Sequence, residues 1–342
     1  MPAQFSRSTY DALIVVSFGG PEGMNDVLPF LENVLRGRNV PRERLLAVAK
    51  HYEQFGGVSP INAQNRKLIA ALEHEFAVNG PHLPIYFGNR NWHPMLADTL
   101  RRMQADGIRK ALAFVTSAYS SYSSCRQYLE NIADARDAAG PDAPEVEKIR
   151  AFYNYPEFIR ANVEQIKIAL KLFPEQRRNS VHLLFTAHSI PLSMADNCDY
   201  QSQIEDTGRL IIEELAINDL LRPYSVAYQS RSGPPSQPWL APDIGDHLRV
   251  LKRDGVTNVL IAPIGFVSDH MEVIYDLDHE AKELSRQLGM NFSRAATAGS
   301  HPAFVKMIRE LVMERMDPSA ERRFLGKTGA RPDNCVTGCC TL

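Results

Sequence analysis

Apolar residues gather in two ways along this chain: in short continuous runs, and in longer stretches where they recur every three or four positions. The short runs, rich in β-branched residues, predict strands over Asp11–Phe18, Leu83–Gly88, Lys110–Thr116, His182–Ala187, Tyr224–Tyr228 and Asn258–Pro263. The periodic stretches predict helices over Gln64–Phe76, Cys125–Ala138, Pro156–Leu172, Tyr200–Leu215 and Met271–Leu288. Alternation of this kind is the pattern of a parallel sheet covered by helices.

The strands fall into two sets of three, parted by Ala139–Ile149 (AGPDAPEVEKI), a stretch rich in Gly, Pro and charge. Both sets follow one plan of strand, helices, strand, helices, strand, although no sequence repeat accompanies it. The expected fold class is therefore α/β, with two doubly wound, Rossmann-like lobes and a cleft between them. In open parallel sheets the ligand lies beyond the carboxyl ends of the strands. The segments that follow the strands here are SFGGPEG, GNRNW, TSAYSSYSSC, AHSIP, QSRSGPP and GFVSDHMEV, all rich in Gly, Ser, Asn or His. Gly and Ser also serve as plain turn residues, so the enrichment points to the cleft without proving it.

Two of these segments offer chemistry. His188 ends a predicted strand and would face the cleft, where an imidazole titrating near neutrality could act as a base or a metal ligand. A histidine bonded to a neighbouring backbone group explains the residue as well. In Gly265–Glu280, Asp269 and Glu272 have the spacing of a capping box, a purely structural explanation. Capping does not account for Glu272, Asp276 and Glu280, which recur at i, i+4 and i+8. Like charges at that spacing cost a helix roughly a few tenths of a kcal/mol per pair. Such a row could pass a hard divalent cation inward or protons outward. It could also be a solvated face opposite Ile274, Leu277, Ala281 and Leu284. In the first half, Arg36, Arg38 and Ser59 could grip a ligand's carboxylates, and Tyr119, Tyr122 and Tyr128 could wall a flat aromatic ligand. Surface arginines and core tyrosines are the alternatives.

Composition narrows the classes. Hydrophobic content of 44% and charged content of 23% are ordinary for a globular chain, and 342 residues suggest two domains. A formal charge of −2 gives no reason to expect a nucleic-acid partner. No Gly-x-Gly-x-x-Gly follows a strand, and neither a P-loop nor a Gly-x-Ser-x-Gly elbow occurs. No apolar run reaches the roughly 20 residues that a membrane span requires, nor is there a signal-peptide pattern, so the expected location is the cytoplasm, with peripheral membrane contact left open. The five cysteines are Cys125, Cys198, Cys335, Cys339 and Cys340. Their odd number and their crowding at the end suit metal or cluster ligation better than a disulfide framework.

Taken together, LIVVSFGGPEG, FGGVSPIN, YFGNRNW, TAHSIP, QSRSGPP and PIGFVSDHMEVIYDLDHE, in this order and spacing, resemble the ferrochelatase family from about Tyr10 to Met316. The details of SFGGPEG, YFGNRNW and YSSCRQY are most similar to the bacterial branch that metallates coproporphyrin III. The resemblance implies insertion of Fe²⁺, as a substrate, into coproporphyrin III bound in the cleft. The alternatives are a protoporphyrin IX ferrochelatase or a non-catalytic tetrapyrrole carrier. It implies a lobe over residues 1–150, joined by a returning helix at about 301–316, a second lobe over 151–300, and a polar tail over 317–342. Residue by residue, it assigns His188 and Glu272 to catalysis, with Asp276 and Glu280 continuing a metal-handling row. Ser59, Tyr128 and Arg38 are assigned to porphyrin contact. Phe18 stands where some coproporphyrin-using members carry a tyrosine that meets the metal. Some members hold a [2Fe–2S] cluster, which here implies Cys335, Cys339 and Cys340 of the tail (NCVTGCC), completed by Cys125 or, in reserve, Cys198. Adjacent cysteines are awkward ligands for one cluster, and a tail of free thiols is the alternative. Partners implied are the porphyrin and, transiently, neighbouring enzymes of the haem pathway.

Overall fold

The computed structural model of the protein describes residues 10–37, 40–217, 220–234, 236–334 and 339–340. Among these described residues, eight strands form two four-stranded sheets: β1 (Ala12–Ser17), β2 (Ile85–Asn89), β3 (Lys110–Val115) and β4 (Glu145–Lys148) in one, and β5 (Val181–His188), β6 (Tyr224–Gln229), β7 (Asn258–Ala262) and β8 (Asn291–Arg294) in the other. The orders are β2-β1-β3-β4 and β6-β5-β7-β8, and every pairing is parallel. The two lobes thus share one Rossmann-like topology.

All six predicted strands are present, but each sheet has an edge strand that the hydrophobic pattern does not reveal. β4 (EVEK) lies in the stretch read as a linker, and β8 (NFSR) lies beyond the last apolar run. An edge strand with one wet side needs no apolar run, and its polar residues protect the edge. Neither segment is an intrinsic strand former; pairing with β3 and β7 recruits it.

One continuous core passes through both lobes, from Leu13 and Val15 of β1 to Leu183 and Phe185 of β5. At its centre Phe114, Phe152, Phe158 and Phe304 make close ring contacts, with Phe114 and Phe152 stacked at 5.3 Å. Phe304 belongs to helix Pro302–Met316, which packs against Ile61–Asn79 on one side and Pro156–Leu170 on the other. Beneath it, the fully buried Arg150 makes a two-pronged bond to Glu314 (2.7 and 3.0 Å) and donates to the Arg323 carbonyl (2.9 Å).

The stretch after this helix is tied to the body by specific bonds. Asn154 donates to the Leu325 and Gly329 carbonyls, Tyr153 shares a hydrogen bond with Thr328, and Arg331 pairs with Asp199. Among the described residues no helix is long and apolar enough to cross a membrane.

Candidate functional site

The cleft site begins at the end of β5. Val181 to Ala187 are buried, and the strand emerges at His188, one-third of whose side chain is exposed. Its Nδ1 lies 2.5 Å from the Ser189 carbonyl. A carbonyl only accepts, so Nδ1 carries the proton and the lone pair of a neutral ring sits on Nε2. Tyr200 donates to the His188 carbonyl (3.1 Å) and holds the strand end in place. The loop after β7 comes within backbone contact of this strand because residue 265 is glycine. A Cβ there would stand 2.5 Å from Ala187 Cα.

That loop leads to Glu272, whose Oε2 is 3.6 Å from His188 Nε2 and 3.9 Å from His270 Nδ1. Burial works against the charged form of both partners, but each stabilises the other. His188 is raised above its usual value, chiefly by Glu272, and Glu272 is drawn down to about 2 by His188 and His270. About half of the Glu272 side chain (52%) nevertheless stays open to the cleft, so the ion pair is partly solvated and remains accessible to a ligand. Burial lowers His270, which packs edge-on against Phe266 at 5.0 Å.

The capping box does not form. His270, not Asp269, is the N-cap residue and makes no side-chain cap, while Asp269 pairs with Arg294 instead. The predicted helix Met271–Leu288 is also not uniform. It opens as Met271–Val273, widens into a π-helix over Ile274–Ala281 and closes as Lys282–Gln287. Single-turn π segments occur frequently at functional sites, and this one carries Asp276. Ser230 and Gln229, at the end of β6, both donate to Asp276 Oδ2, the latter at 3.3 Å. Ser230 does so from a left-handed backbone (φ 60°), unusual for a residue other than glycine. Burial pushes Asp276 up to about 7; the Ser230 hydroxyl opposes this and the charges of Glu272 and Glu280 add to it. Glu280 is exposed, so the row runs from the cleft to the surface. Leu277 and Ala281 are buried on the opposite side, as expected, whereas Ile274 and Leu284 are only half-buried. Among the described residues, no three His, Cys, Asp or Glu side chains stand close enough together to form a ready-made metal site. His188 and Glu272 are paired, and Asp276 and Glu280 follow as separate stations.

Ser59 and Tyr128, expected to touch the porphyrin, lie in the first lobe and are both buried. Ser59 is buried against Gly20, where a Cβ would meet its own at 2.6 Å, and its N–H donates to the Pro21 carbonyl. Tyr128 is buried, with its phenol raised by burial against the opposing influence of Arg90 and Thr116. The Arg90 guanidinium lies over the rings of both Tyr128 (4.9 Å) and Phe18 (5.5 Å). Arg90 and Ser230, in the GNRNW and QSRSGPP segments, carry no recognisable motif of their own; the signal that marks them is their place directly after a strand. Arg38 lies outside the described residues, and Arg36 is exposed and bonded to Asn33.

The described thiols converge at a second place. Cys339 and Cys340 have sulfurs 3.5 Å apart, Cys340 and Cys125 are buried, and Cys198 donates to the Met194 carbonyl (3.2 Å). Burial and the neighbouring thiols of Cys339, Cys125 and Cys198 push the Cys340 thiol far up. Cys335 lies outside the described residues.

A family model described as Ferrochelatase matches residues 10–316. A Rhodopirellula baltica protein named Ferrochelatase is 54% identical over 333 residues, spanning 97% of this chain and 93% of its own length. Proteins of Streptomyces coelicolor and Mycolicibacterium smegmatis, both named Coproporphyrin III ferrochelatase, are 47% and 48% identical. They span 99% and 93% of this chain, and 96% and 93% of their own lengths. Among solved structures, SirB from Bacillus subtilis with Fe³⁺ aligns with a TM-score of 0.53 at 14% identity, over 89% of this chain and 96% of that one. CbiX, the terminal enzyme for sirohaem biosynthesis in denitrifying bacteria, aligns with a TM-score of 0.52 at 14% identity, over 90% and 100%. At such identity these two likenesses bear on the fold alone.

Proposed function

The chain belongs to the ferrochelatase family, and on that premise we propose that it inserts Fe²⁺ into coproporphyrin III to give Fe-coproporphyrin III, as a metal chelatase (a lyase) of haem biosynthesis. The observation that carries the reading is the pairing of His188 Nε2 with Glu272 Oε2 at the carboxyl end of β5, open to the cleft. The choice of porphyrin is supported by the relatives named for coproporphyrin III.

Metallation removes two pyrrole protons and strips water from the cation. His188 Nε2 is the base or transient iron ligand on one face of the ring: the Ser189 carbonyl keeps the proton on Nδ1, so Nε2 is the nitrogen that offers a lone pair once the proton facing Glu272 is released. Glu272, held anionic by two histidines, receives metal or proton beside it. Asp276 and Glu280 pass cations between the surface and Glu272, and the Ser230 hydroxyl keeps the inner carboxylate oriented. Ser59, Tyr128 and Arg38 are assigned to porphyrin contact. A carrier would need neither the imidazole–carboxylate pair nor the row.

We further propose that the tail thiols hold a [2Fe–2S] cluster; the reading rests on the family resemblance and on Cys340, buried beside Cys339 with Cys125 and Cys198 as charged neighbours, whereas the described thiols do not by themselves form a closed ligand set. Cys125, Cys335, Cys339 and Cys340 are the proposed ligands, with Cys198 as reserve. When bound, the cluster supplies a one-electron centre linking the tail to the body. The lobes are proposed as 1–150 with 301–316, and 151–300, followed by the tail 317–342. Helix Pro302–Met316 bridges the two, packed against Ile61–Asn79 of the first and Pro156–Leu170 of the second. The proposed location is the cytoplasm, with transient contacts to neighbouring haem-pathway enzymes.

The test is anaerobic metallation by purified protein, followed by porphyrin absorbance, with Fe²⁺ and either coproporphyrin III or protoporphyrin IX. Rapid loss of the free-base spectrum with coproporphyrin III alone is expected. Preference for protoporphyrin IX would overturn the substrate, and tight binding without metallation would favour the carrier.

A further inference from the structure

Glu272 is bracketed by two contacts with the opposite lobe. On one side Met271 is buried in a first-lobe cluster with Phe30, Tyr52 and Val27. On the other, Gln64 of helix Ile61–Asn79 meets Asp269 twice: its Oε1 accepts from the Asp269 backbone N–H (2.8 Å), and its Nε2 donates to Asp269 Oδ2 (3.3 Å). Asp269 is itself braced within its own lobe. Arg294, at the end of β8, donates to both of its oxygens (3.0 and 3.5 Å) and makes a two-pronged bond to Asp278 of the π-helix (2.7 and 2.8 Å). The Arg294 and Asp269 side chains are 14% and 13% exposed, so these bonds are sheltered from water.

Arg294 therefore ties the two ends of the segment that carries Glu272 and Asp276 into one braced unit. Gln64 keys that unit to the first lobe. The same helix begins two residues after Ser59, so the key and a proposed porphyrin contact stand about one helical turn apart. We infer that Gln64 is a positioning residue for metallation: through its paired bonds to Asp269 it sets Glu272 against a porphyrin held by the first lobe. The inference rests on the proposed chelatase reaction. The proposed porphyrin contacts belong to one lobe and Glu272 to the other, and a misplacement of about 1 Å between reacting groups can cost around a hundredfold in rate.

Gln64→Met, which keeps the length and removes both bonds, tests it in the full-length protein. Expected is a fall in kcat for iron insertion of roughly tenfold or more, with coproporphyrin III affinity by fluorescence quenching and the melting temperature unchanged. Gln64→Glu places a carboxylate against Asp269 and is expected to lose kcat as well. A purely structural role would lower the melting temperature and the active fraction together and leave the rate per folded molecule unchanged. Unchanged kcat in Gln64→Met, or a loss of rate that follows the loss of folded protein, would overturn the inference. A wild-type protein that metallates neither porphyrin would overturn the chelatase reading and this inference with it.

Discussion

His188 Nε2 stands 3.6 Å from Glu272 Oε2 while the other nitrogen of the same ring donates to the Ser189 carbonyl at 2.5 Å. One contact keeps the proton on Nδ1, and the other sets a carboxylate beside Nε2 that favours the protonated ring, so Nε2 is the nitrogen that exchanges its proton. Replacing His188 with Ala is expected to lower metallation by at least about a hundredfold, the usual scale of a lost acid–base group. The Tyr200 bond runs to the main chain of residue 188 and survives the change, so near-UV circular dichroism should be preserved. Near-normal turnover in that variant would remove His188 from the mechanism.

Asp276 supplies a pH signature. Its carboxyl is raised to about 7, so it takes up a proton as pH falls through neutrality and ceases to attract a cation. The specificity constant for Fe²⁺ should therefore rise through about pH 7 and level off above it. Asp276→Asn should be low and flat across the same window. Ser230→Ala removes the hydroxyl bond that favours the carboxylate, so the rise should move to higher pH. Both shifts are read from initial rates under anaerobic conditions.

His182 should make stability pH-dependent in the opposite part of the scale. Its ring is lowered to about 4, by burial first and then by His247, and both histidines meet at the Ser225 hydroxyl (2.8 Å each). An unfolded histidine titrates near 6.5. Between these values the unfolded chain binds the extra proton, so stability falls as pH drops from about 6.5 to about 4. In His182→Gln this part of the decline should be reduced, as measured by melting temperature against pH.

The Arg150–Glu314 pair is sealed, with side chains 0% and 6% exposed. Arg150→Met leaves a buried carboxylate without its main partner and should cost about 3–5 kcal/mol in urea unfolding. Adding Glu314→Leu should recover much of that loss, because the uncompensated charge is then gone.

For the thiols, protein purified anaerobically should carry iron, sulfide and visible absorbance that disappear in Cys125→Ser and Cys340→Ser. Retention in Cys198→Ser would keep that residue in reserve; loss there, with retention in Cys125→Ser, would exchange the two. Absence of iron and sulfide from the wild type would leave a docked tail of thiols.

The sequence by itself determined six of the strands: β1, β3, β5 and β7 are interior parallel strands, which must be apolar runs whatever surrounds them, and the edge strands β2 and β6 carry enough apolar and aromatic residues to be read the same way. It also pointed to the segments that follow those strands, with His188, Glu272 and Asp276 as candidates. Tertiary structure decided the rest. β4 and β8 are polar segments that become strands only by pairing at an edge. Asp269, spaced as a helix cap, is taken instead by Arg294 and Gln64, residues 25 and 205 positions away in sequence. No local pattern encodes bonds across such separations. The same is true of the π-helix, where the sequence period suggests an α-helix, and of Ser230, which reaches Asp276 from 46 positions away. Local periodicity governs which residues face the core; the protonation and aim of the site depend on groups that meet only once both lobes have folded.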